Sequence, residues 1–572
     1  MIPRSEHPNP QFQRDSWQNL NGTWEFEIDK SKSGKERKLF EAEHLNSQIT
    51  VPFCPESKLS GVCETDFLNC VWYKKEIEIN DKTSKIFLHI GASDYLTTVY
   101  VNGKEAGTHK GGYTPFKFDV TAFLNVGKNS LVICAEDDNR SGNQPCGKQS
   151  VKYASAGCFY TRITGIWQTV WLELVPETHI ESVKFFPDVK NCALTLHASL
   201  CGASTFFARA FYNGKEVGKA TAESFGGHVE LTIPLCEKHL WEVGEGRLYD
   251  LELSYGDDHV KSYFGLRHVF MDGMKFMING KCVFQRTVLD QGYYRDGLYT
   301  APSDDAMAND IKIALDAGFN GARLHEKLFE PRFLYHCDRM GYMVWGEYGN
   351  FGLDHTKMSA LPTYLREWEE ALDRDFNHPS IIGWCPFNET WDVDECKQED
   401  EVVELVYRTT KRLDITRPCI DTSGNFHVIT DIFDVHDYCQ DVEEFKGYMK
   451  KFEKEGILSG QTFRNPVCDD RQTYRGEPVF ISEYGGIKWD AENDNIGWGY
   501  GNAPESEEEF VERYKGLTEA IMNNPKIMGF CYTQLYDIEL EKNGLYTYDR
   551  KPKFDMEIFK KINTQKAAIE ME

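Results

Sequence analysis

The chain is short of positive charge. It has 64 lysines and arginines against 90 aspartates and glutamates, so its formal net charge is −26. Nucleic acids and anionic membrane surfaces are bound by basic faces, and this balance therefore argues against both as partners. It does not argue against a small neutral substrate, and a local basic pocket could still bind an anion.

Long apolar runs and clustered cysteines are also missing. The opening residues, MIPRSEHPNPQFQRDSWQNLNG, lack the apolar centre of a signal peptide, and no run reaches the roughly 18 apolar residues of a membrane span. The 17 cysteines are scattered, with no CxxC pair and no Cys/His cluster of zinc-site spacing. An odd cysteine count without a leader is typical of a reduced protein. We therefore expect a cytoplasmic protein without metal or other cofactor.

Strand-like patterns fill the first half of the chain. At 572 residues the chain is too long for one core, and roughly three domains are expected. TWEFEI, WYKKEIEI and KIFLHIG alternate apolar and polar residues, and Asn102-Gly103 is typical of a tight hairpin. These patterns predict a jelly-roll β-sandwich over residues 1–176. HVELTIPL, LYDLELSYG and Asn213-Gly214 predict an immunoglobulin-like sandwich over 177–265.

The second half alternates helices with strands. DDAMANDIKIALDAGFNGARLH has apolar residues at helical spacing, then Gly318 past the helix end, then a short strand. EPRFLYHCDRMGYMVWGEYG repeats this unit, and several similar units follow. Such alternation over about 300 residues predicts a parallel (β/α)8 TIM barrel over 266–572.

Three apolar strands of this barrel end in glutamate. YMVWGE ends at Glu347, IIGWCPFNE at Glu389 and PVFISE at Glu483. Chemistry in these barrels takes place where the strands end, so we expect the three carboxylates to share a pocket. Glycosidic cleavage requires two facing carboxylates, one protonated to assist the leaving oxygen and one ionised to attack the sugar. Asn388 would then donate to the sugar 2-OH.

The motifs resemble glycoside hydrolase family 2. LNGTWEF, WYKKEIEI, VNGKEAG and GIWQTVWLE come first, and RDFNHPSIIGWCPFNET and ISEYGG follow in the barrel, so the resemblance spans essentially the whole chain. It implies that Glu389 is the acid/base and Glu483 the nucleophile. It also implies that Tyr438, in VHDYC, contacts the nucleophile, and that Arg323, in GARLHEK, lies at the end of an early barrel strand.

The chain also departs from the pattern of that family. The large β-galactosidases carry further C-terminal domains that are missing here, so their magnesium ligands are not transferred to this chain. The β-glucuronidases carry an Asn-x-Lys signature that holds the sugar carboxylate, whereas here Asn543 is followed by Gly-Leu in ELEKNGLYTYDRKPK. This difference disfavours a glucuronidase.

Several other side chains are candidates for sugar binding. Asp290, in VLDQGYYRDG, either binds sugar hydroxyls or caps a turn. His325 and Lys327 follow Arg323, and strand alternation would place all three on one face, where Lys327 either binds a substrate carboxylate or is a solvated loop residue. Trp391 is either a sugar platform or barrel packing.

We therefore expect a retaining exo-β-glycosidase that hydrolyses a terminal β-linked galacto-configured sugar by double displacement. The first alternative is a β-galacturonidase, in which the basic residues bind a uronic acid. The second is a non-catalytic carbohydrate-binding protein, against which the acid pair argues. A metal-dependent lyase would need a ligand cluster that the sequence lacks. The expected partner is carbohydrate, and homo-oligomer formation is left open.

Overall fold

The protein is described by a computed structural model that covers residues 2–393, 396–456, 472–490 and 497–571. Its first group of strands forms a four-stranded sheet of order β1-β12-β5-β9, a six-stranded sheet of order β3-β2-β4-β10-β7-β8 and the pair β11-β6. These strands are β1 (Trp17–Asn19), β2 (Gly22–Ile28), β3 (Ser47–Val51), β4 (Cys70–Ile79), β5 (Lys85–Ile90), β6 (Ser93–Asp94), β7 (Leu96–Val101), β8 (Lys104–Lys110), β9 (Phe116–Asp119), β10 (Gly127–Glu136), β11 (Gly165–Ile166) and β12 (Val170–Val175).

Alternation along these strands builds the core of the first group. Trp24, Phe26 and Val99 are buried between the two large sheets, while their neighbours along each strand are more exposed. The hairpin between β7 and β8 turns at Asn102 and Gly103, whose φ values of 50° and 76° are those of a type I′ turn. The predicted hairpin at this position is confirmed.

The second group is a smaller sandwich of a three-stranded sheet, β13-β14-β17, and a four-stranded sheet, β16-β15-β18-β19. Its strands are β13 (His179–Asp188), β14 (Ala193–Cys201), β15 (Ser204–Tyr212), β16 (Lys215–Ser224), β17 (Gly227–Pro234), β18 (Tyr249–Tyr255) and β19 (Asp258–Phe264). The predicted hairpin at Asn213 and Gly214 is confirmed, because both have positive φ between β15 and β16. The domain limits of 176 and 265 remain predictions.

The third group begins with a small antiparallel sheet and continues as strands alternating with helices. The strands are β20 (Val269–Asp272), β21 (Lys275–Ile278), β22 (Lys281–Cys282), β23 (Gln285–Asp290), β24 (Gly321–Leu324), β25 (Met343–Glu347), β26 (Ile381–Cys385), β27 (Phe387–Asn388), β28 (Thr422–Ser423), β29 (Phe433–Asp437), β30 (Val479–Gly485) and β31 (Ile527–Thr533). The helices are α1 (Asp304–Asp316), α2 (Pro331–Met340), α3 (Leu361–Asp375), α4 (Asp400–Leu413), α5 (Val442–Glu455), α6 (Glu507–Met522) and α7 (Met556–Asn563).

Parallel pairing closes these strands into a barrel. Seven of them form one sheet in the order β26-β25-β24-β23-β31-β30-β29, and β27, which continues β26, pairs with β28. Strand β28 therefore lies between the two edges of the seven-stranded sheet and is the eighth strand of the barrel. The predicted architecture of β-sandwich domains followed by a TIM barrel is confirmed.

Helix ends follow the sequence signals. Ser303 accepts a hydrogen bond from Ala306 N at the start of α1, whose first turn also carries Asp304 and Asp305. Gly318 has a φ of 86° just past the end of the helix, a backbone conformation that favours glycine. Among the described residues, no helix is long and apolar enough to cross a membrane.

The first group of strands packs against the barrel near the carboxyl ends of the barrel strands. Cys146 N and Gly147 N both donate to Phe351 O, at 2.6 and 3.2 Å. Tyr160 OH donates to Glu541 Oε2 at 2.5 Å, a contact between residues 381 positions apart. The mouth of the barrel is thus built from two parts of the chain.

Candidate active site

The two predicted glutamates meet at the carboxyl end of the barrel. Glu389 follows β27, and Glu483 lies within β30. One oxygen of each carboxylate and one ring nitrogen of His436 lie within 4.8 Å of one another. Glu389 has a φ of 43°, a strained conformation for a residue with a side chain and one that is frequent at functional sites.

His436, which the sequence reasoning missed, lies between the two carboxylates. Its Nδ1 is 2.8 Å from Glu389 Oε1 and 3.5 Å from Glu483 Oε2, and its Nε2 is 3.0 Å from Ser423 Oγ. Burial lowers the pKa of His436, but the charges of Glu483 and Glu389 outweigh it, and the pKa is raised. The imidazole thus lies between the two acids, with Nδ1 close enough to contact both of them.

Glu483 is held by donors on both oxygens. Arg323 Nη1 donates to Oε1 at 3.0 Å, and Tyr438 OH donates to Oε2. The Tyr438 ring stacks on Tyr500 with centroids 3.5 Å apart, and its hydroxyl lies 3.1 Å from Thr533 Oγ1. The structure thus places Tyr438 against Glu483, as the family resemblance implied.

Arg323 is fully used by the protein itself. Besides Glu483, its guanidinium donates to Glu347 Oε1 at 2.5 Å and to Asn388 Oδ1 at 3.0 Å, and the side chain is 1% exposed. Two acids and an amide are therefore positioned by one cation. A buried cation needs such partners, because an unpaired one would be costly to desolvate.

Asn388 keeps its amide nitrogen available. Its backbone N donates to Asn350 Oδ1 at 2.7 Å, and its Oδ1 accepts from Arg323. Within the described part of the chain, no acceptor contacts its Nδ2. The side chain is thus oriented to donate from Nδ2 into the pocket, which is the geometry that a contact to the sugar 2-OH requires.

His325 and Arg323 contact different oxygens of the Glu347 carboxylate. The Nδ1 of His325 is 3.2 Å from Glu347 Oε2, and burial, followed by the charge of Lys148, lowers the pKa of His325 well below the ordinary range. A neutral imidazole therefore borders the pocket. His325 and Arg323 share Glu347 as a common partner, as predicted for residues on one face.

Lys327 does not join them, and the prediction of a three-residue cluster is wrong. Strand β24 ends at Leu324, and Glu326 has a φ of 50°, so strand alternation does not continue to Lys327. Its Nζ donates to Gly292 O at 2.5 Å and to Tyr299 O at 2.8 Å. Lys327 is a buried structural cation rather than a solvated or substrate-facing one.

Asp290 and Trp391 occupy different surroundings. Asp290 Oδ1 accepts from Gly292 N at 2.9 Å and from Tyr536 OH at 2.6 Å, which matches the turn-capping alternative. Burial, followed by the charge of Asp310, raises the pKa of Asp290 to about 6. Trp391 is partly exposed two positions after Glu389, and its role as a sugar platform stays a prediction.

The first group of strands adds a cation that the sequence reasoning also missed. Lys148 is 7% exposed, and its Nζ lies 5.3 Å from the Phe351 ring centre and 6.0 Å from that of Phe159. Burial lowers its pKa, but nearby acidic groups raise it by more, in the order Cys158, Glu541, Glu483 and Glu389. Lys148 is therefore a protonated lysine in the field of the acid pair.

Within the described ranges, two groups of side chains have the donor types of a metal site. One is Glu389, His436 and Glu483, and the other is His179, Glu181 and Cys201 in the second sandwich. In the first group the imidazole already contacts both carboxylates, so the three atoms are satisfied by one another. Such a contact favours acid–base chemistry over metal ligation at this site.

A parallel eight-stranded barrel that presents two close carboxylates at its strand ends defines the class of TIM-barrel glycoside hydrolases. The family description "Glycosyl hydrolases family 2, TIM barrel domain" matches residues 269–567, and "Glycosyl hydrolases family 2, sugar binding domain" matches 17–172. The chain belongs to glycosyl hydrolases family 2. This confirms the predicted resemblance and the predicted enzyme class.

Curated relatives are distant. A putative beta-glucuronidase of Formosa agariphila is 28% identical over 369 residues, covering 58% of this chain and 41% of the relative. A beta-galactosidase of Thermoanaerobacter pseudethanolicus is 25% identical over 458 residues, covering 74% of this chain and 57% of the relative. The chain thus spans well under two thirds of either relative. Their names do not support the predicted restriction to galacto-configured sugars.

Solved structures share the fold over nearly the whole chain. A Ruminococcus gnavus beta-glucuronidase in complex with uronic isofagomine superposes with a TM-score of 0.81 at 18% identity, covering 98% of this chain and all of the other. An uncultured Clostridium sp. beta-glucuronidase gives 0.78 at 20% identity, covering 97% and 99%. At such identities the likeness establishes the fold alone.

Proposed function

We propose that the chain is a retaining exo-β-glycosidase that works by double displacement. The observation that carries this proposal is the approach of a Glu389 oxygen and a Glu483 oxygen to within 4.8 Å. Retaining enzymes hold their two carboxyl groups about 5–5.5 Å apart, whereas inverting enzymes leave about 6.5–9.5 Å for a water molecule. A closest oxygen–oxygen approach within 4.8 Å fits the shorter separation between carboxyl groups, and so supports direct attack on the sugar.

The surroundings of the two acids support different roles. Arg323 and Tyr438 donate to Glu483, which favours an ionised nucleophile. The Glu389 side chain is 20% exposed against 5% for Glu483, so it is better placed to meet a departing aglycone. Glu389 would protonate the leaving oxygen while Glu483 attacks the anomeric carbon. In the second step Glu389, now ionised, would remove a proton from the water molecule that releases the sugar from Glu483.

Stereochemistry and chemical rescue test this proposal. Early product followed by NMR should be the β-anomer, and azide should rescue Glu389→Ala as a β-glycosyl azide. An α-anomer as first product would contradict double displacement. Rescue of Glu483→Ala as the α-azide, with none for Glu389→Ala, would reverse the two roles. A parent protein that binds sugars but cleaves none would leave only the non-catalytic alternative.

The sugar is the finer part of the proposal. We propose a β-linked uronic acid, galacturonic or glucuronic, in preference to the predicted neutral galactoside. The Formosa agariphila relative is named a putative beta-glucuronidase, and this name supports a uronide substrate. The Thermoanaerobacter relative is named a beta-galactosidase, and its name supports the neutral alternative. Epimeric aryl β-galacturonides and β-glucuronides, assayed side by side, test the configuration at C4.

A further inference from the structure

Lys148 has no counterion of its own. Among the residues that the structure describes, none places a carboxylate oxygen within 4.0 Å of its Nζ or accepts a hydrogen bond from it. Arg323, by contrast, is paired with Glu347 and Glu483. The Lys148 ammonium lies 5.3 Å from the ring centre of Phe351 and 6.0 Å from that of Phe159. A nearly buried ammonium in this state is available to an incoming anion.

The position of Lys148 is fixed by backbone contacts on both sides. Before it, Cys146 N and Gly147 N donate to Phe351 O of the barrel. Behind it, Tyr160 N donates to Lys148 O at 2.8 Å, and Tyr160 OH is itself tied to Glu541. The lysine is therefore built into the pocket and is not the end of a free surface loop.

The acids around Lys148 would repel an anionic ligand, and the positive charge of Lys148 would offset that repulsion. The acids that act on the ammonium are Glu541, Glu483 and Glu389, and the last two form the acid pair of the barrel. A neutral sugar would displace water from the ammonium and leave it without a partner, which is costly in a closed site. A substrate carboxylate would replace that water with a charge-assisted hydrogen bond.

We propose that Lys148, supplied by the sugar-binding domain, binds the carboxylate of a uronic acid in the pocket. This inference rests on the proposed glycosidase function and assigns its specificity to a residue outside the barrel. Asn543, in the late barrel segment, is already engaged within the protein, because its Nδ2 donates to Glu541 Oε1 at 3.0 Å. The recognition of the anion and the cleavage of the bond then come from different domains.

Paired substrates test the assignment. The parent, Lys148→Met, Lys148→Arg and the control Lys152→Met are assayed on p-nitrophenyl β-galacturonide and β-glucuronide and on the corresponding neutral galactoside and glucoside. Lys152 is an exposed lysine of the same segment. Lys148→Met should lower the uronide-to-neutral ratio of kcat/KM by roughly 10- to 100-fold, because one charge-assisted contact is lost. Lys148→Arg should retain most of the ratio, and Lys152→Met all of it.

The ratio isolates substrate recognition from catalysis. Loss of a positive charge near Glu389 changes the acid–base steps for both sugars alike, and it therefore cancels in the ratio. Equal losses on both sugars would overturn the proposal, as would a parent that cleaves neutral glycosides but no uronide; both results leave the proposed glycosidase standing. If no glycoside is cleaved, the proposed function fails, and calorimetry with free galacturonate and glucuronate decides the role of Lys148. Acid binding that Lys148→Met abolishes would support it, and unchanged or absent binding would overturn it.

Discussion

Two carboxylates at close range repel each other unless a positive charge or a shared proton lies between them. His436 meets this need, since its Nδ1 contacts Glu389 and lies 3.5 Å from Glu483. Its Nε2 faces Ser423 Oγ, which itself donates to Asp434 Oδ2 at 2.5 Å. Arg323 Nη1 lies 3.4 Å from the same nitrogen, so the ring is held on both of its sides. His436 is thus a positioning residue for the acid pair.

Replacing His436 should damage catalysis on every sugar. His436→Phe removes both contacts, and we expect kcat/KM to fall by about 100-fold or more on uronide and neutral substrates alike. His436→Gln, which can still donate one hydrogen bond, should recover part of the loss. Steady-state kinetics on matched aryl glycosides measures both. A loss confined to uronides would show that His436 binds the substrate and does not position the acids.

Because Lys327 is buried away from the acid pair, we expect it to affect the stability of the protein and not its substrate specificity. Burial lowers its pKa to about 7, from an ordinary value of 10.5. Between these two values the unfolded chain binds more protons than the folded one, so Lys327 makes stability rise with pH across this window. Below about pH 7 both states are protonated, and the full cost of burying the charge is present.

The melting temperature of Lys327→Met relative to the parent should therefore fall as pH rises from about 7 to 10. The slope of the difference in unfolding free energy is at most about 1.4 kcal/mol per pH unit. Lys152→Met should show no such trend, and Lys327→Met should leave the uronide-to-neutral ratio unchanged. Calorimetric melting at several pH values measures the trend. A flat difference would show that Lys327 is not buried as a shifted cation.

Individual residues differ in how far the sequence predicted them. Glu389 and Glu483 were found because apolar strands ending in acids mark the mouth of a barrel. His436 could have been found, since it lies two positions before Tyr438, at the end of β29. Lys327 was misplaced because a positive φ at Glu326 ends the alternation, and no local pattern reports that turn. Lys148 reaches the pocket only through the packing of two domains, which no short motif encodes.

At the scale of elements, the conformation of the segment between β10 and β11 sets the position of Lys148 relative to the barrel. Gly147 has a φ of 56°, and a β-carbon there would lie 2.2 Å from Glu326 O. Both the backbone conformation and the lack of space therefore require glycine at this position. Gly142, in the same segment, has a φ of 71° and nothing within 4 Å.

These two glycines form a matched pair for mutation. Gly142→Ala should cost about 1 kcal/mol, the penalty for a positive φ alone. Gly147→Ala should also push the segment away from the barrel, and we expect uronide kcat/KM to fall at least tenfold. Kinetics and thermal melting of the two variants make the comparison. Equal effects of the two changes would mean that the approach of Gly147 to Glu326 is not required.

Elements with strong patterns were predicted better than elements shaped by their neighbours. The hairpins at Asn102 and Asn213 and the helix α1 follow local turn and capping signals. The eighth barrel strand, β28, is only two residues long, and its place depends on pairing with β27. A strand of that length has no period that the sequence could show, although the parallel barrel that contains it was predicted.

For the molecule as a whole, α3 links the first sandwich to the barrel through Glu367. Glu367 Oε1 accepts from Tyr113 N at 2.5 Å and from Thr114 N at 3.1 Å, and Oε2 accepts from Tyr348 OH. The residue is 1% exposed, so its removal would leave two buried backbone donors without a partner. The N-terminal segment adds Arg14, which pairs with Asp258 of the second sandwich.

Glu367→Ala should therefore destabilise the protein by about 2–5 kcal/mol. Glu369→Ala, on the same helix, removes a partly exposed ion pair with Arg412 and should cost less than about 1 kcal/mol. Chemical denaturation followed by tryptophan fluorescence compares the two. If both variants unfold together with the parent, Glu367 does not hold the two domains together.

The bond between Tyr160 and Glu541 has a consequence for biosynthesis. Chains are made from the N-terminus and domains fold largely as they emerge, so the lysine-bearing segment is complete long before its barrel partner has been translated. Contacts that span such a separation form late, because long loops must close first. The pocket is therefore incomplete until the segment that carries Glu541 has been translated and has packed against the first sandwich.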